Sequence, residues 1–146
     1  MSIVYATLDT DISCVVAIMP SGKSYLRKHG RGIEEKGVRR SMRDIPGSEG
    51  KSREYLVPHA LTIDSQQYSA IDAVPKVHVP ILFIAGEKDI VIPKEEVDEI
   101  YQKANEPKDF LLMPHIGHDY RHNVEEIAVG NDEIIRWLKV KNAIPA

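Results

Sequence analysis

Three apolar runs constrain the fold of this chain more than any other feature: "ISCVVAI" (12–18), "VPILFIAG" (79–86) and "DFLLMP" (109–114). Each is too short for a buried helix, and Pro or Gly lies at or just beyond its end. Uninterrupted apolar runs of this length suit strands covered on both faces, as in a parallel sheet. Between the second and third lies "IPKEEVDEIYQKANEP". Pro93 suits a first helical turn, Glu95 and Glu96 follow at the positive end of the helix dipole, and Val97, Ile100, Tyr101 and Ala104 share a face. Strand, helix, strand in succession predicts a right-handed crossover. In the tail "NVEEIAVGNDEIIRWLKVK", Val124, Ile127, Ala128, Asn131, Ile134, Ile135 and Leu138 fall near helical spacing. The pattern predicts one amphipathic helix that breaks, if anywhere, at Gly130 and ends in lysines suited to its negative pole.

The segment 24–57 has another character. It is polar and punctuated by glycine, and "VRRSMRDI" and "KSREYLV" flank the turn signal "PGSEG". The simplest structure for it is a solvated hairpin. Its basic residues Arg27, Lys28, Arg31, Lys36, Arg39, Arg40 and Arg43 are interleaved with Glu34, Glu35 and Asp44 and lack aromatic company, so a solvated face is expected and no nucleic acid. The expected organisation is a single domain over 1–146, α/β in class, with 24–57 as an excursion.

Composition sets the remaining bounds. With 146 residues, 42% hydrophobic and 28% charged, the chain reads as one globular, soluble domain. A formal charge of -3 argues against a dedicated polyanion binder. One cysteine, Cys14, rules out an internal disulfide framework and is expected to be an inert thiol within a core strand. There is no apolar stretch of membrane-spanning length, and "MSIVYATLDTD" does not read as a secretory leader, so a cytoplasmic protein without membrane contact is expected.

"AIMPSGKS" (17–24) has the outline of a phosphate-binding loop, with Lys23 and Ser24 as its phosphate and Mg²⁺ groups. Such a loop works by aiming successive backbone N–H groups at phosphate, yet Pro20 supplies none, and Ala17 and Met19 stand where permissive glycines are needed. Lys23 and Ser24 are therefore read as loop residues, and no cofactor is expected. His115, His118 and His122 have spacings that would share a helical face and could hold a metal, but Pro114 and Gly117 oppose a helix there, so no metal is expected.

More chemistry lies in "ILFIAGEKDIVIP" and "FLLMPHIGHDY". Each apolar strand runs directly into a turn bearing a polar residue, Asp89 in the first and His118 in the second. Parallel-sheet enzymes carry their chemistry at the carboxyl ends of strands. If the two strands are neighbours, Asp89 and His118 emerge on one edge, where a carboxylate would orient an imidazole and stabilise its protonated form. Gly86 and Gly117 would let the two loops turn sharply. The plainer alternative is that Asp89 caps the next helix and His118 is a surface residue.

These segments resemble the α/β-hydrolase family. "VPILFIAGEKDIVIP" is similar to the segment that delivers the triad acid through a G-x-x-D turn, and "MPHIGHDY" is similar to the family's histidine loop. "YSAIDAVPKVHVP" and "YATLDTDISCVVAIMP" resemble the stretches preceding the acid strand and following the nucleophile's helix. The likeness implies a mostly parallel, three-stranded partial sheet with flanking helices, and a cap-like excursion at the polar hairpin. It also implies Asp89 as triad acid and His118 as triad base of an acyl hydrolase. No G-x-S-x-G elbow occurs in the sequence. Ser48, in "IPGSEG", stands in the right chain order but follows a charged segment and is read as a turn residue. On this alignment the elbow lies upstream of Met1, and the chain alone would be inactive. Strand 12–18 would then have an open edge, to be covered by a second copy or a separately made amino-terminal half. A non-catalytic oligomerising or binding module is the competing expectation.

Overall fold

The computed structural model describes residues 2–22, 37–45 and 48–145. Along the chain run α1 (Ser2–Tyr5), β1 (Val15–Ile18), β2 (Val38–Ile45), β3 (Ser48–Pro58), α2 (His59–Ser65), α3 (Ala70–Ala73), β4 (Ile81–Gly86), α4 (Lys94–Lys103), β5 (Lys108–Met113) and α5 (Val124–Val140). They divide into two compact units, one of residues Met1–Gly22 with Ser69–Ala146, the other of Lys23–Tyr68.

The first unit is an α/β layer structure around a parallel sheet ordered β1-β4-β5. The register pairs Val15 with Ile81 and Ile18 with Ile84 on one side of β4, and Ile81 with Lys108 and Gly86 with Met113 on the other. The expectation of strands covered on both faces holds for β4, where all six residues are buried. It fails for the other two. In β1 Val15 and Ala17 are buried while Ile18 is 40% exposed, and β5 is mostly half-buried. Both are edges of the described sheet, so each lacks one neighbour's cover. Strand β1 is also shorter than its apolar run: Cys14 lies just before it and is half-buried, not a core thiol in mid-strand.

Helix α4 links β4 to β5. Pro93 stands immediately before its first residue, and the Pro93 carbonyl accepts the amides of Glu96 and Val97. Val97 and Ile100 are fully buried, and Tyr101 meets the rings of Phe83 at 5.7 Å and Phe110 at 5.4 Å edge-on. Such pairs add about 1 kcal/mol each beyond the area they bury. At the far end the Lys108 ammonium donates to the carbonyls of Tyr101 and Ala104, both at 3.0 Å, satisfying acceptors that the helix leaves open.

Helix α5 is continuous, so the expected break at Gly130 does not occur. Asn123 caps it, its side-chain oxygen accepting the Glu125 and Glu126 amides. Gly130 is buried, and a Cβ there would lie 3.6 Å from the Met113 methyl. At that distance a Cβ would make ordinary van der Waals contact, so glycine is tolerated here and not required, and the helix runs through it despite its intrinsic cost.

In the second unit β2 and β3 pair antiparallel, Val38 opposite Pro58 and Asp44 opposite Ser52, with an Arg40–Glu54 ion pair at 2.6 Å across the strands. The two stretches flanking the turn signal thus pair as a hairpin requires, followed by α2, while 24–36 and the turn residues 46 and 47 lie outside the described residues. The chain leaves the first unit after Gly22 and rejoins it at Ser69, and these two points are bonded. The Gly22 carbonyl accepts the Ser69 hydroxyl at 3.3 Å and the Ile71 amide at 3.1 Å. One oxygen of Glu96, on α4, accepts both the Ser21 hydroxyl (2.8 Å) and the Gly22 amide (3.2 Å).

Candidate active site

The site begins where β4 ends. The amide of Asp89 donates to the carbonyl of Gly86, closing a tight turn directly after the strand. Within the turn the carboxylate folds back on its own loop: Oδ1 accepts the amides of Val91 and Ile92, both at 2.8 Å. This is an Asx-type arrangement, in which a side chain stands in for a backbone acceptor. It fixes the carboxylate before any partner is considered. Helix α4 starts only at Lys94, so Asp89 is not its cap.

The second loop follows β5. His115 takes a left-handed conformation (φ 66°), Ile116 is buried, and His118 follows. The Asp89 and His118 side chains meet: Nδ1 of the imidazole lies 3.0 Å from Asp89 Oδ2. The aspartate side chain is completely buried and the histidine side chain 35% exposed. A buried carboxylate accepting three hydrogen bonds is a satisfied charge, and one that holds Nδ1–H leaves Nε2 as the basic nitrogen. The arrangement can therefore accept a proton at Nε2 and stabilise the imidazolium that results.

The two loops are held together by backbone bonds that continue the β4–β5 ladder past its end. The Glu87 amide donates to the Met113 carbonyl at 3.0 Å and the Lys88 amide to the Ile116 carbonyl at 2.9 Å. Gly86 makes this approach possible. A Cβ on it would fall 2.5 Å from the Ile116 oxygen and 2.7 Å from the Met19 methyl. Its role is close approach and not, as the sequence suggested, freedom to turn. Gly117 serves neither purpose, since a Cβ there would meet nothing nearer than the Lys88 oxygen at 3.6 Å. Gly86, Glu87, Lys88 and Ile116 thus belong to the site without having been singled out for these contacts. The one legible signal was the strand-to-turn change at "AGEKD" and "MPHIG". Beside the pair, Ile90 is 91% exposed, an apolar side chain next to the buried acid.

The other candidates stand apart. His115 is exposed in the loop and His122 ends the short turn Tyr120–His122, so the three histidines do not share one helix. Among the described residues there is no cluster of three or more metal-ligating side chains. Ser48 opens β3 in the second unit. Lys23 and Ser24 lie outside the described residues. The Gly22 amide, which a phosphate loop would aim at its ligand, is given to the Glu96 carboxylate, an anion where phosphate would sit. No helix among the described residues is long and apolar enough to cross a membrane.

Solved structures match almost the entire chain. The esterase domain of a Rhodothermus marinus protein superposes with a TM-score of 0.71 at 18% identity, over 93% of this chain and 55% of that one. The α/β hydrolase GrgF from Penicillium sp. sh18 gives 0.66 at 16%, over 98% and 60%. A Paleococcus ferrophilus monoacylglycerol lipase gives 0.67 at 16%, over 95% and 63%. The chain has an α/β-hydrolase fold. The matched share of each solved chain is consistent with the carboxyl-terminal part of an α/β hydrolase. Curated proteins that are similar in sequence include two uncharacterized ones. Escherichia coli (strain K12) YfhR is 30% identical over 95 residues, 64% of this α/β-hydrolase-like chain and 33% of that protein. Mycobacterium tuberculosis (strain ATCC 25618 / H37Rv) Rv2307c is 35% identical over 52 residues, 36% and 18% respectively. The chain thus spans a third or less of these curated relatives. No protein-family profile matches the sequence.

Proposed function

We propose that this chain is the acid-and-base portion of an acyl hydrolase acting on esters or amides, with Asp89 as the triad acid and His118 as the general base and acid. The observation that carries this reading is the 3.0 Å contact between His118 Nδ1 and a wholly buried Asp89 carboxylate. In the reaction Nε2 of His118 takes the proton of a serine hydroxyl as that oxygen attacks the acyl carbon. It then returns the proton to the leaving group, while Asp89 holds the ring and its charge. The sequence contains no G-x-S-x-G elbow, so the attacking serine and the oxyanion donors come from outside these residues. Loss of the nucleophile in such a triad costs on the order of a millionfold in turnover. The chain by itself is therefore expected to be inactive. Incubation with a fluorophosphonate probe tests this: one label per chain on any serine would overturn the reading of a missing nucleophile.

A second reading rests on β1, which among the described residues pairs only with β4 and leaves Ile18 40% exposed. We propose that its outer edge is covered by another polypeptide, a second copy or a separately made amino-terminal half. Light scattering that finds a stable monomer at high concentration would count against the second copy. A stable monomer, together with no binding of a co-expressed amino-terminal half, would remove the proposal altogether.

A further inference from the structure

We propose that Glu87 is a positioning residue for His118, acting through the backbone of His115. This rests on the reading of Asp89 and His118 as acid and base. Besides the Asp89–His118 contact, three bonds among the described residues join the acid loop to the histidine loop beyond the last ladder pair, Gly86 with Met113. Two are backbone to backbone, from the Glu87 amide to Met113 and from the Lys88 amide to Ile116. The third comes from a side chain: Glu87 Oε2 accepts the His115 amide at 3.2 Å.

That amide belongs to the residue at which the loop reverses. His115 has φ 66°, a conformation that a residue with a Cβ rarely adopts, so something must hold it there. Its N–H lies beyond the last ladder pair, and the Glu87 carboxylate supplies its acceptor. Glu87 is fastened at its own end by the hydrogen bond its backbone N–H donates to the Met113 carbonyl, so the clamp spans both strand ends. His118 is three residues farther along this same loop, and its ring must meet a carboxylate already fixed by Val91 and Ile92. A shift of the reversal at His115 moves the imidazole off an acceptor that cannot follow. The two central backbone bonds set the spacing of the loops, and Glu87 sets where the second one turns.

The test is imidazole NMR of the full ¹⁵N-labelled chain. A hydrogen-bonded Nδ1 proton on His118 gives a low-field, slowly exchanging signal. In Glu87→Ala that proton is expected to exchange about tenfold faster or to broaden away, while β4 amides keep their shifts. In Glu87→Gln, whose carboxamide oxygen still accepts from His115, the signal is expected to stay near that of the parent. A parent-like His118 signal in Glu87→Ala overturns the proposal, as does equal loss in Glu87→Gln. Collapse of the β4 shifts in Glu87→Ala overturns it too, because Glu87 would then be needed for folding. A parent chain without the low-field proton removes the acid–base reading itself and the role of Glu87 with it, an outcome distinct from the others.

Discussion

Asp89 divides its carboxylate between two loops: Oδ1 holds the amides of Val91 and Ile92, and Oδ2 meets Nδ1 of His118. The side chain is therefore both the internal tie of its own turn and the partner of the histidine. Replacing it separates the two roles. Asp89→Ala strands two amides and an imidazole at a buried position and is expected to cost about 3 kcal/mol in urea unfolding. Asp89→Asn keeps an oxygen for the amides but presents N–H to Nδ1, which forces the ring proton to Nε2. It is expected to lose about 1 kcal/mol or less in urea unfolding while abolishing the low-field Nδ1 proton.

Gly86→Ala tests the close approach of the loops. Its new methyl would overlap the Ile116 carbonyl and the Met19 side chain, and the backbone oxygen cannot swing away as a side chain would. The expected cost is about 2 kcal/mol by denaturant unfolding, with displacement of the His118 signal. Gly117→Ala, where the nearest atom is at 3.6 Å, is the control and should unfold like the parent.

Asp109 gives the first unit a dependence on pH. The Trp137 indole N–H holds its carboxyl below the usual aspartate value of 3.8; burial opposes this, and the Lys141 ammonium adds lesser lowering effects. Because the folded value lies below the unfolded one, this stabilisation is complete above the unfolded value and is lost as pH falls through the folded one. The stability difference between the parent and Asp109→Asn should therefore be constant near neutrality and shrink as pH falls below about 4. Trp137 is the sole tryptophan, so intrinsic fluorescence during urea unfolding reports directly on this contact.

The root of the hairpin unit makes a prediction about architecture. Gly22 and Ser69 are already joined by a hydrogen bond, so a short Gly-Ser link can replace residues 23–68 without stretching either end. The shortened chain is expected to unfold cooperatively and to keep the amide shifts of β4 and β5. Loss of cooperative unfolding would show that the two units depend on each other.

What the sequence made legible was governed by short-range patterning. Uninterrupted apolar runs marked β4 and β5, and the periodicity between them marked α4, because burial on a face leaves a regular imprint. Asp89 and His118 were legible because each directly follows such a strand, so that sheet topology alone brings them to one rim. The ends of β1 were not: whether Ile12 and Cys14 join the ladder depends on neighbours that an apolar run does not name. Helix α2, "HALTIDS", carries no clear stripe by which its sequence would mark it. Gly130 looked like a breaker because its packing partner, Met113, sits on another element. The clamp of Glu87 on His115 and the grip of Glu96 on Ser21 join residues 28 and 75 positions apart, and no local pattern encodes either.

The bond between Gly22 and Ser69, where the chain leaves and rejoins the first unit, has an evolutionary reading. A stretch of chain whose two flanking residues lie side by side can be lengthened, shortened or traded by genetic events confined to one locus, and the strand order of the parent sheet need not change. Descendants of this chain would then diverge first between those two residues, and last in the rim that carries Asp89 and His118.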